Sequence, residues 1–171
     1  NRKITLFANS FTAMNKIGED EYKIVFTDSP GFMDFYGQIL GAARASDFAL
    51  ITVDATAGVQ VGTRRAWNAC KEGGLASVAF VITGLDKDNA DFNKTVTAIR
   101  DTFGMNCVPV TAPLGADAVA NILDTSDLPA ALQDVRNSLA ESAAETDEAL
   151  MEKYFEQGSL DPADIRKGLT T

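Results

Sequence analysis

From Lys23 the chain runs through Ile24, Val25, Phe26 and Thr27 and then stops on an acid, Asp28. β-Branched and aromatic residues at this density favour extended backbone. Asp28-Ser29-Pro30-Gly31 then supplies four residues that prefer turns, and an amphipathic run follows to about residue 46. The reading is a buried strand that delivers a carboxylate to its C-terminal end, followed by a glycine whose amide is free. Ligands of open α/β sheets bind beyond the carboxyl ends of the strands. A carboxylate there can hold the hydration shell of Mg²⁺, and a glycine amide there can donate to a phosphate oxygen. Read without a ligand, the same four residues are a strand-ending turn.

Around this stretch the pattern alternates short apolar runs with amphipathic ones. Residues 4–11 and 22–27 read as strands, and the polar residues between Met14 and Glu21 as a long hairpin connection. Phe35, Ile39, Leu40 and Ala43 recur at helical spacing. Residues 48–54 form a strand without alternation, which suits a sheet covered on both faces. A helix over 63–70 ends at Gly73-Gly74, and a strand over 76–83 follows. A helix over 89–103 and a short strand over 107–110 come next. Such a succession gives βα repeats, a mostly parallel sheet with right-handed crossovers and an antiparallel edge hairpin. After Val110 the character changes: Thr111-Ala112-Pro113-Leu114-Gly115 reads as a break. Residues 128–155 give a helical stripe in one or two pieces, and Asp161-Pro162 opens a last helix with a cap and a proline in its first turn. Residues 1–110 and 111–171 are therefore expected to be an α/β part and a mostly helical subdomain.

The 171 residues bound the chain to one domain, or one with an appendage. No apolar run reaches the roughly 20 residues of a membrane span. A net charge of −9 argues against adhesion to nucleic acid or to an anionic membrane. With no histidine and only Cys70 and Cys107, a His-based zinc site, a Ser-His-Asp triad and a Cys-His pair are excluded. Both cysteines read as buried apolar residues of a reducing compartment. Trp67 reads as core, and Arg64, Arg65 and Lys71 as a solvated face. The chain opens on Asn1 inside a strand-like pattern, and a fragment of a longer protein is expected.

Several strings, in order, resemble the GTP-binding domain of elongation factor G. Arg2-Lys3-Ile4-Thr5 looks like its Arg-Gly-Ile-Thr at the end of switch I. Asp28-Ser29-Pro30-Gly31 resembles its Asp-Thr-Pro-Gly, and Asp34-Phe35 the Asp-Phe that follows. Asp54-Ala55-Thr56-Ala57-Gly58-Val59-Gln60 resembles Asp-Ala-x-x-Gly-Val-Gln. Ala79-Phe80-Val81 with Asp86, and Ala90-Asp91-Phe92, are similar to the guanine-reading strand and its helix. Pro113-Leu114-Gly115, the run from Glu141 to Glu145 and that from Leu150 to Tyr154 match the inserted subdomain. The resemblance implies a P-loop NTPase-type GTPase fold with a helical insertion, acting on the ribosome in the cytoplasm with GTP or GDP and Mg²⁺. By matched position, Thr5 would contact Mg²⁺ through its hydroxyl, and Asp28 would hold the ion through water. The Gly31 amide would sense the γ-phosphate. Thr83 and Asp86 would face the guanine ring.

The departures from the family pattern are chemically specific. No Gly-x-x-x-x-Gly-Lys-Ser/Thr phosphate loop occurs in the 171 residues, so this segment by itself is expected to be inactive. Phe32 stands where the family has a histidine that orients the attacking water, and it has no donor or acceptor. The guanine motif Asn-Lys-x-Asp reads Thr83-Gly84-Leu85-Asp86, without the lysine stem that packs on the base. Lys3 replaces a glycine beside Thr5. Two functions remain: a GTP-hydrolysing translation factor, or a nucleotide-independent module that docks on the ribosome or another factor.

Overall fold

The computed structural model describes residues 4–115, 118–124 and 128–170, so Arg2 and Lys3 lie outside the described residues. By contact the chain divides into two compact units, Asn1–Thr83 and Gly84–Thr171.

The first unit opens with an antiparallel hairpin, β1 (Asn9–Ile17) and β2 (Asp20–Asp28). The strands lie further along the chain than the sequence pattern suggests. Residues 4–8 are outside the ladder, and Met14 to Ile17 pair with Asp20 to Lys23 instead of forming a long connection. Gly18, at φ +65°, closes the two-residue loop, where hairpin turns require a positive φ. Asn15, Lys16 and Glu21 are polar because these strand ends face water, so their polarity is no loop signal. Phe11, Phe26, Ile24, Tyr22 and Ile17 share a face, and Met14 and Val25 lie on the other. Phe11 and Phe26 stack at 5.1 Å, and Phe11 and Ile17 remain 58% and 60% exposed.

After β2, a 3-10 turn (Met33–Phe35) leads into α1 (Tyr36–Arg44). Then come β3 (Ala49–Asp54), α2 (Val61–Gly73) and β4 (Val78–Thr83). β3 and β4 pair in parallel over their whole length, the βαβ unit that the spacing implies. The hairpin and this pair are separate two-stranded ladders. Ile51 and Val53 are buried, and their register partners Phe80 and Ile82 lie on the same face. Trp67 of α2 stacks on Phe80 at 5.8 Å, as a core residue does, while the Lys71 ammonium sits 5.0 Å over its ring. Cys70 is buried in the same helix. Gly74, at φ +80°, terminates α2 in the left-handed conformation that the Gly-Gly pair suggests.

The second unit contains α3 (Phe92–Phe103), β5 (Thr111–Leu114), β6 (Ala118–Asn121), α4 (Ala130–Ala144), α5 (Glu148–Gln157) and α6 (Pro162–Leu169). Residues 107–110, expected as a strand, form none. The strand is the next segment, read from sequence as a break. β5 pairs antiparallel with β6, and Pro113 faces Val119. A proline is tolerated there because a two-stranded ribbon leaves each strand an edge that needs no N–H. The helical stripe from 128 to 155 is in two pieces. Asp147 opens the second by accepting from Ala149 N–H at 2.8 Å. Asp161 caps α6 by accepting from Ala163 and Asp164 N–H at 3.0 and 2.9 Å, with Pro162 next. Ile122, Leu139 and Ile165 are wholly buried in the core, and Phe92 packs against it.

α6 crosses α4 where Gly168 meets Ala143. A β-carbon on Gly168 would lie 2.6 Å from the Ala143 carbonyl oxygen and 2.8 Å from its β-carbon. Gly168→Ala therefore forces the two helices apart. It is expected to destabilise this unit by roughly 1–3 kcal/mol, seen as a lower midpoint in urea unfolding.

Carboxylates join the helix ends. Asp147 accepts from Lys167 Nζ at 3.2 Å, and Lys153 bridges Asp161 and Asp164. The Lys167 ammonium first, then the Ala149 N–H, holds the Asp147 carboxyl below its ordinary 3.8. A lowered folded-state pKa means the contribution is complete above pH 3.8 and lost as pH falls through the lower folded value. The thermal midpoint is thus expected to drop more steeply between about pH 5 and 2 in the natural chain than in Asp147→Asn.

Candidate functional site

The end of β2 organises the first unit's candidate site. Asp28 is the last strand residue and stays exposed. Pro30 is fully buried and anchors the turn, so Gly31 and Phe32 emerge at the surface, Phe32 with 54% of its area exposed. The 3-10 turn closes when Phe35 N–H donates to the Phe32 carbonyl at 3.1 Å.

Thr5 arrives from the segment that precedes β1. Its hydroxyl donates to Asp28 Oδ2 at 3.2 Å. Gln38 on α1 holds that segment: its Oε1 accepts from Ala8 N–H at 2.6 Å, and its Nε2 donates to the Leu6 carbonyl at 3.1 Å. A side-chain amide thus takes the place of a ladder partner for backbone that has none in β2. Sequence reasoning missed Gln38, because a glutamine on a helix face carries no local signal of a distant backbone partner.

Thr5, Gly31 and Phe32 line an open cleft of about 650 Å³ with Ile4, Gln60, Val61 and Gly62. The last three belong to the start of α2 and its preceding loop. Gln60 closes the run matched to Asp-Ala-x-x-Gly-Val-Gln, which was the available clue. Asp54 shapes this loop: its carboxylate accepts from the Thr56 N–H and hydroxyl at 2.9 and 2.6 Å, and its carbonyl accepts from Gly58 N–H at 2.8 Å. Gln60 Nε2 donates to the Ala57 carbonyl at 2.6 Å, and Gln60 N–H donates to Thr63 Oγ1 at 3.2 Å.

Of the residues singled out from sequence, Thr5, Asp28, Gly31 and Phe32 are therefore brought together. Thr83 ends β4; its carbonyl accepts from Ala55 N–H at 2.8 Å and its hydroxyl makes a long, 3.5 Å contact to the Val53 carbonyl. Asp86 is exposed in the turn that opens the second unit.

Mg²⁺ fits the Thr5–Asp28 pair. The donor set is hard oxygen: the Thr5 hydroxyl could contact the ion directly and the Asp28 carboxylate, 3.2 Å from that hydroxyl, could accept from a water on the ion. Among the described residues no three acidic, histidine or cysteine side chains converge into a metal cage. Such a cage is not required of Mg²⁺ in phosphate sites, where one or two protein oxygens act with phosphates and water.

An α/β unit with an acid and a bare glycine at a strand end is the arrangement that a GTPase-type domain places at its nucleotide. The chain belongs to the elongation factor Tu GTP-binding domain family, whose model matches residues 1–165. It is similar to an elongation factor G-like protein of Thermotoga maritima, at 30% identity over 150 residues, covering 78% of this chain and 22% of that protein. A solved crystal structure of a Thermus thermophilus protein superimposes with a TM-score of 0.79 at 30% identity, over 96% of this chain and 27% of the other. The chain thus spans about a quarter of the length of these relatives. The family resemblance and the GTPase fold class read from the motifs are borne out, and the nucleotide-independent alternative gains no support.

Gln38→Ala is expected to free residues 4–8 from α1. The Ala8 amide should then exchange with solvent about tenfold faster, as loss of one hydrogen bond predicts, while amides within β1 and β2 keep their protection.

Proposed function

We propose that these residues serve a translation factor of the elongation factor G type, which binds GTP and Mg²⁺ and hydrolyses GTP to GDP and phosphate on the ribosome. The observation that carries the reading is that Thr5 and Gly31 line one cleft while the Thr5 hydroxyl donates to Asp28. Thr5, through its hydroxyl, and Asp28, through water, would hold Mg²⁺, which when bound neutralises charge on the phosphates. The Gly31 amide donates toward the γ-phosphate, and its position beside the segment of Thr5 lets both loops respond to the loss of that phosphate. Asp86 accepts hydrogen bonds from the N–H edge of guanine, and Thr83 offers a hydroxyl. A phosphate loop is absent from these 171 residues, so they are inactive without one. The working environment is the cytoplasm, and the direct partners are guanine nucleotide and the ribosome, with neither membrane nor free nucleic acid bound by this acidic segment.

Phe32 sets the turnover. An exposed ring at the mouth of the cleft excludes water without orienting it, and phosphoryl transfer depends on positioning. In the full-length protein, Phe32→His is expected to raise ribosome-stimulated GTP hydrolysis by about two orders of magnitude. Failure of the full-length protein to bind GTP-Mg²⁺ in calorimetric titration overturns the proposal.

A further inference from the structure

Thr5 lies in a stretch with no ladder of its own, because residues 4–8 precede the first strand pair, Asn9 with Asp28. Its hydroxyl is presented in one place only if the backbone beside it is held. Gln38 of α1 holds that backbone at two points: Oε1 accepts from Ala8 N–H at 2.6 Å, and Nε2 donates to the Leu6 carbonyl at 3.1 Å. A single bond would leave a pivot about which the segment turns. Two bonds to one planar group, on either side of Phe7, fix its roll as well. A carboxamide carries donor and acceptor on one rigid unit, whereas a carboxylate only accepts.

α1 is itself closely seated. A β-carbon on Gly73 of α2 would lie 3.1 Å from Ala43 Cβ and 3.4 Å from the Arg44 nitrogen. α2 begins at the cleft that Thr5 lines, with Val61 and Gly62 in its wall. The Thr5 segment is thus tied, through Gln38 and α1, to the helix that forms another part of the same wall. Fixing backbone costs conformational entropy, and a segment held before a ligand arrives does not subtract that cost from binding. Given the reading above that Thr5 and Asp28 hold Mg²⁺, on which this step rests, we infer that Gln38 is a positioning residue of that site: it presets the Thr5 hydroxyl and so lowers the Mg²⁺ concentration at which GTP binds. It acts through Thr5 and touches neither ion nor nucleotide.

The test is binding of a non-hydrolysable GTP analogue to the full-length protein across a Mg²⁺ titration, with thermal unfolding as the control for folding. Gln38→Ala should raise the Mg²⁺ concentration at half-saturation about tenfold, as loss of two solvent-exposed hydrogen bonds predicts. Gln38→Glu, of the same shape but with no hydrogen for the Leu6 carbonyl, should raise it about threefold. Binding without Mg²⁺ should change less than about twofold in either variant, whereas a general loss of structure would weaken it equally. Thr5→Ala should raise the Mg²⁺ requirement too, and Gln38→Ala added to it should have no further effect. An unchanged requirement in Gln38→Ala, or an effect that persists undiminished in the Thr5→Ala background, overturns the inference and leaves the guanine-nucleotide reading intact. A requirement that Thr5→Ala does not alter overturns the inference together with the role assigned to Thr5. Absence of GTP binding by the natural full-length protein overturns the whole reading.

Discussion

The hydrogen bond from the Thr5 hydroxyl to the Asp28 carboxylate, 3.2 Å long, joins two pieces of chain that have no ladder in common. β1 and β2 stop pairing at Asn9 and Asp28, since the turn residues that follow cannot extend the strand. Residues 4–8 must find other partners. Gln38 supplies them for the backbone and Asp28 supplies one for Thr5, so α1 and the strand end together fix where the hydroxyl sits. Both groups that meet there offer oxygen, a donor of the hard kind, and neither offers sulfur or nitrogen.

The same economy appears in the helical unit. Asp147 and Asp161 each cap a helix and each pair with a lysine of another turn. The pairs are solvent-exposed, so each contributes little alone. Their value is directional: they fix which helix end meets which, while burial of Ile122, Leu139 and Ile165 supplies the drive to pack. The close approach of Gly168 to Ala143 then sets how near α6 can lie to α4.

Features whose cause is local were legible in the sequence. The caps at Asp161 and Pro162, the glycine stop after α2 and the parallel pairing of β3 with β4 follow from residue chemistry and connection length. The carboxylate at a strand end and the glycine beyond it were legible for the same reason. Features with distant causes were not. Asn15, Lys16, Asp20 and Glu21 belong to strands because the hairpin is exposed there, which no local pattern states. Pro113 belongs to a strand because its ladder has only two members. Gln38 acts by reaching backbone thirty residues away in the chain, and a reading tied to motif positions passes over it.

The exposed hairpin carries a consequence for handling the molecule. A ribbon with Phe11, Phe26, Tyr22 and Ile17 along one side and open edges on both strands has the ingredients of intermolecular zippering: unpaired backbone donors and acceptors beside greasy side chains. Such a ribbon is a surface on which a second strand could add, and a lysine placed in mid-strand on that side is the gatekeeper that would oppose it.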